Sequence, residues 1–144
     1  MPDGADPFDL QRFVGAQDSV YADVLAELTA GRKRTHWMWF VFPQLKGLGR
    51  SATALHYGIG SREEALAYLG HAVLGPRLQE CAGLVGRHAG RPAEAIFGYP
   101  DTLKFRSSMT LFAAVRPEEA LFGELLDIFF QGERDGATLA LLAR

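Results

Sequence analysis

The residues best suited to chemistry in this chain stand in one run. His36-Trp37-Met38-Trp39-Phe40-Val41-Phe42-Pro43-Gln44 sets both tryptophans of the protein two residues apart, beside a histidine and ahead of a glutamine. Indole rings stack planar ligands, and polar groups at their edge anchor them. His36 is the candidate general acid or base, because imidazole titrates nearest neutrality. Trp37 and Trp39 are candidate stacking surfaces, and Gln44 a candidate anchor. The competing reading is a core plug, since so much apolar area buries itself whatever the backbone does.

Cations flank this run. Residues 28–62 hold Arg32, Lys33, Arg34, Lys46, Arg50 and Arg62 and no acid, whereas residues 1–27 hold six acids against Arg12. Residues 117–135 are acidic again, with Arg134 as their one base. A positive field therefore sits inside a chain of net charge −2. Arginine meets phosphate or carboxylate through two parallel hydrogen bonds, so Arg34 and Arg50 are candidate anion ligands. A solvated charged face is the alternative. A third stretch, Tyr99 to Thr110, gathers Asp101, Lys104, Arg106, Ser107, Ser108 and Thr110. Lys104, Ser107 and Ser108 share one helical face and could act together on a ligand; capping and solvation would use the same residues. We expect 32–50 and 101–110 to meet and share a pocket, because the apolar block must be covered and the helix with Met109, Leu111 and Phe112 can cover it. The alternative packs 101–112 on the helix of Leu121 to Phe130.

Motifs of known chemistry are absent. There is no phosphate loop, dinucleotide glycine fingerprint, nucleophile elbow or cysteine pair. His36, His56, His71 and His88 do not stand at helical metal-ligand spacings, so no metal is expected, and no cofactor either. The lone Cys81 reads as a small buried residue. The net charge argues against general nucleic-acid binding. The longest strongly apolar stretch, 37–42, is far short of the ~20 residues that span a bilayer, and the acidic N-terminus lacks a signal-peptide pattern. The expectation is a cytoplasmic protein with no membrane partner.

The elements that must position these residues are helical. Val20, Tyr21, Val24, Leu25 and Leu28 repeat on one face and stop at Gly31; Leu78, Cys81, Ala82 and Val85 repeat likewise. Asp6-Pro7, Asp18, Ser61-Arg62-Glu63-Glu64, Asp101 and Asp135 read as N-terminal caps. Pro43 and the glycines at 47, 49, 58 and 60 predict irregular or short helical structure across 43–60. No run alternates with period two. The expected fold is all-α: one compact, irregular bundle of about seven to nine short helices over residues 1–144, with residues 1–5 disordered.

Four segments resemble a known bacterial family, domain of unknown function 1810: Asp6 to Phe13, His36 to Gln44, Leu74 to Leu78 and Ser107 to Phe112. The resemblance runs from about residue 6 to the C-terminus. It implies an all-helical single domain and carries no catalytic residue over. Two functional readings stand on the residues themselves. One is a domain that binds or acts on an anionic, nucleotide-like small molecule, through Arg34, Trp37, Trp39, Gln44, Arg50, Lys104, Ser107 and Ser108. The other is a protein-interaction module without catalytic activity, whose partner would meet its opposed acidic and basic surfaces. Whether the protein is an enzyme is not legible at this level.

Overall fold

A computed structural model describes residues 5–144. The expected disorder of residues 1–5 bears mostly on residues 1–4, which lie outside the described residues. Among the described residues there are ten helices and no strand. They are α1 (Gln11–Asp18), α2 (Tyr21–Ala30), α3 (Met38–Val41), α4 (Ala52–Tyr57) and α5 (Arg62–Gly70). After these come α6 (Leu74–Gly86), α7 (Ala93–Phe97), α8 (Asp101–Val115), α9 (Ala120–Phe130) and α10 (Gly136–Leu142).

The ten exceed the expected count because the irregular stretch 43–60 is organised around α4 and one parallel bridge. Ile59 N–H donates to Gln44 C=O, and Lys46 N–H to Ile59 C=O, each at 2.8 Å. Gly58 is required there: a Cβ would fall 2.8 Å from Lys46 Cα.

The long helix α8 is buried along most of its length, from Phe105 through Val115. It packs against α9, α10, α5, α7 and α3, while α6 joins α2, α5 and α9. Two aromatic chains cross it. Phe105 stacks on Phe97 at 4.6 Å and meets Phe42 edge-on at 5.0 Å. About two turns along, Phe112 touches Tyr68 and Phe122, and Tyr68 meets Phe13. Such edge and offset contacts add to the area that these rings bury.

Caps decide several boundaries. Asp6 accepts from Leu10 N–H and Gln11 N–H across the turn 6–9, so α1 starts at Gln11 with Leu10, not Asp6, in the N-cap position. Those two amides also hold its carboxyl below the ordinary value. Ser61 caps α5 by accepting from Glu64 N–H, and Asp135 caps α10 by accepting from Thr138 N–H. Gly31 closes α2 in the left-handed region, at φ 74°. Two expected caps do not form. Asp18 belongs to α1, and Val20 precedes α2 without a side-chain bond. Asp101 opens α8 but gives its carboxylate to two lysines instead of the helix amides.

Gly75, in the first turn of α6, lies against the end of α5; a Cβ there would stand 2.2 Å from Leu69 C=O. Gly75→Ala is therefore expected to destabilise the domain by about 2–3 kcal/mol, as overpacking against rigid backbone does. Thermal unfolding checks this, with Gly83→Ala as the control: a Cβ there meets nothing within 4 Å, and alanine inside α6 is expected to stabilise by about 0.5–1 kcal/mol.

Candidate functional site

The turn between α2 and α3 is organised by one carboxylate. Glu27, buried near the end of α2, accepts from Arg34 N–H (2.7 Å), Thr35 N–H (3.0 Å), Thr35 O–H (2.6 Å) and the indole N–H of Trp37 (2.9 Å). Burial pushes its pKa up. The four donors outweigh burial and hold it at about 2. Trp37 is 1% exposed and joins the core beside Phe42. Of the two tryptophans, this one is core plug rather than pocket wall.

Trp39 is different. It is half-buried, and Lys104 from α8 lays its ammonium 3.8 Å from the ring centroid. Lys104 also pairs with Asp101 (3.1 Å), and Asp101 pairs with Lys33 (2.8 Å), whose ammonium lies 5.2 Å from the Trp37 ring. Burial raises the Asp101 pKa; the two lysines outweigh it and bring it below the usual range. Segments 32–50 and 101–110 therefore meet, through Lys33–Asp101, Lys104–Trp39 and Phe42–Phe105. The alternative packing holds as well, because α8 lies between that block and α9.

The remaining expected site residues do not gather around this contact. His36, Arg34 and Arg50 are exposed. Gln44 and Trp39 line one small hollow of about 10 Å³ with Tyr57 and Ala54, room for about one water. Ser107 turns the other way, donating to Leu103 C=O or Asp135 Oδ2. Ser108 is wholly buried. Its hydroxyl is the one buried side-chain polar atom among the described residues without a hydrogen-bond partner.

The larger clefts lie elsewhere. One of about 350 Å³ runs between the 31–33 turn and α7, lined by Arg32, Lys33, Arg91 and Glu94 with residues 95–98. Lys33 N–H donates to Ile96 C=O at 2.7 Å, which locks the two walls together. Arg91 lies over Gly31, where a Cβ would meet its guanidinium at 2.3 Å. A second, of about 420 Å³, opens beside Lys46, Arg62 and Arg144. A third, of about 400 Å³, is lined by Phe8, Asp9, Arg12, Lys46, His56 and Glu64. In this last cleft Arg12 is saturated: it pairs with Glu64 at 2.7 Å and donates to four backbone carbonyls. Among the described residues no cluster of three His, Cys, Asp or Glu side chains could hold a metal. Among the described residues no helix is long and apolar enough to cross a membrane. Cys81 is buried, and that burial pushes its thiol up to about 11.

Sequence reasoning missed Glu27, Arg91 and Glu94. Glu27 was legible only as an acid on an apolar helix, one turn before Gly31. Arg91 stands far along the chain from the cations it joins, and no spacing rule links them.

Fold and clefts together define a class: an all-helical domain with cation-lined surface clefts and a tightly packed aromatic core. The chain belongs to the family described as protein of unknown function (DUF1810), which matches residues 7–142. It is similar to the crystal structure of a conserved hypothetical protein from Mycobacterium tuberculosis, with 60% sequence identity and a TM-score of 0.95. That match covers 96% of this chain and 99% of the other. No curated protein matches it.

Proposed function

We propose that this domain binds a small anionic, nucleotide-like molecule, with its charge held in the cleft between the 31–33 turn and α7. The observation that carries this reading is the lining: two exposed arginines, Arg32 and Arg91, stand with one carboxylate, Glu94, while the Lys33 ammonium is paired with Asp101. A concave wall concentrates such a field. The cleft is also preorganised, since Glu27 pins the turn that follows it and Asp101 pins Lys33. The half-buried ring of Trp39 lies along the same chain of contacts, Lys33–Asp101–Lys104, with the Lys104 ammonium over it. The reading is of binding: these residues supply charge but no nucleophile paired with a base.

Calorimetric titration with ATP and with inorganic phosphate tests it. Saturable binding of ATP is expected, weakened at least tenfold by Arg32→Ala and by Arg91→Ala, as loss of a charged hydrogen bond implies. Both side chains are exposed, so circular dichroism should stay unchanged. Equal affinity in wild type and variants would defeat the assignment.

One observation favours the second reading, a protein-interaction surface. Tyr99 is 74% and Leu103 46% exposed, and both flank the Asp101–Lys104 pair. Interaction alone gives no ATP response in the same titration.

A further inference from the structure

A nucleotide's base and its phosphate chain need different partners, and the cleft between the 31–33 turn and α7 supplies them for one of the two. A base needs an open aromatic face or a set of edge partners. The cleft's lining holds no exposed aromatic ring. Phe97 is buried, and neither tryptophan belongs to the lining: Trp37 is core, and Trp39 lies under the Lys104 ammonium. Tyr99 is exposed and follows Gly98 along the chain, but it too stands outside the lining.

Guanidinium donors are what the cleft has to spare. Arg12, Arg77, Arg106 and Arg134 give theirs to carbonyls or carboxylates of the fold. Arg32 and Arg91 make no such bond among the described residues. Arg91 is held by packing instead. Its guanidinium takes the space where a Cβ on Gly31 would stand, and His88 shares that space, with Cε1 2.8 Å from the same point. His88 is fixed in turn by donating Nε2–H to Leu28 C=O at 2.8 Å. Each guanidinium can meet one phosphoryl group through two parallel hydrogen bonds. A single phosphate fills one such fork. Two or three linked phosphates fill both, and carry charge enough to outweigh Glu94 in the same lining. That chain is common to nucleoside triphosphates and inorganic polyphosphates. On the reading of this cleft as an anion site, we infer that it recognises the phosphoanhydride chain alone and leaves the base in solvent.

The test is calorimetry on the intact protein with ATP, CTP, inorganic tripolyphosphate, AMP and inorganic phosphate. The three triphosphates are expected to agree within about fivefold, and AMP and phosphate to bind at least about tenfold more weakly. Arg32→Ala and Arg91→Ala are each expected to weaken tripolyphosphate about tenfold, and Tyr99→Ala to leave ATP unchanged. All three side chains are exposed, and circular dichroism confirms folding. ATP binding more than ~5-fold tighter than tripolyphosphate would overturn the inference and leave the anion reading standing. So would a loss of ATP affinity in Tyr99→Ala, or phosphate binding as tightly as tripolyphosphate. Tripolyphosphate affinity unchanged in both arginine variants would place the polyanion elsewhere and overturn it too. Tripolyphosphate binding without ATP binding would sink the nucleotide reading and leave the chain-only site standing. Binding of neither overturns both.

Discussion

Glu27→Ala is expected to lower stability by about 3–4 kcal/mol and the melting temperature by about 10 °C. The substitution removes the acceptor for four donors at once: two backbone amides, the Thr35 hydroxyl and the Trp37 indole N–H. The amides and hydroxyl can turn to water, but the indole is buried and cannot. Tryptophan emission should shift to the red as Trp37 loosens. The wild type should show the same dependence as acid is added. The folded pKa of about 2 lies below the ordinary 4.5, so the stabilisation is complete above pH ~4.5. It fades as pH falls toward 2, with about 3 kcal/mol at stake. A Glu27→Ala melting temperature within 2 °C of wild type at pH 7 would show that the carboxylate does not hold this turn.

Arg12→Ala is expected to cost about 3–5 kcal/mol, the range for breaking a buried ion pair. The Arg12 and Glu64 side chains are 10% and 8% exposed. Without the guanidinium, Glu64 keeps only Gly60 N–H as partner. The carbonyls of Phe8, Asp9, His56 and Gly58 lose a donor together, and these tie the turn before α1 to the loop after α4. Chemical denaturation measures the loss, and a double-mutant cycle with Glu64→Gln separates the ion pair from the carbonyl contacts. A cost below ~1 kcal/mol would mean that the two segments hold together without it.

Much of the fold was legible because helical signals are local. The Leu78–Cys81–Ala82–Val85 repeat, the Gly31 stop and the Ser61 cap each depend on residues a turn or two away, and each appears where expected. The caps at Asp18 and Asp101 failed for a tertiary reason in one case: Asp101 is worth more between two lysines than on its own helix end. For Asp18 the cause is local, as α1 runs through it. The site was less legible. The indole of Trp37 looked like a ligand platform because its partner, Glu27, is a distant acid in sequence terms. The expected contact of Lys104 with the aromatic run was a covering argument and needed no motif. Ser107 shares that helical face by spacing alone; Asp135, brought up by the last helix, claims it. Clefts arise where three or four segments stop short of one another, and no single segment records that.

The central helix α8 stands late in the chain, and that timing governs how the domain emerges from the ribosome. At about 5–20 residues per second, the first hundred residues are made over roughly 5–20 s. During that interval Phe42 and Tyr68 exist without the helix that covers them. The nascent chain therefore spends its synthesis with the aromatic run of residues 37–42 uncovered by Phe105, and the core closes only once residues 101–115 have left the exit tunnel.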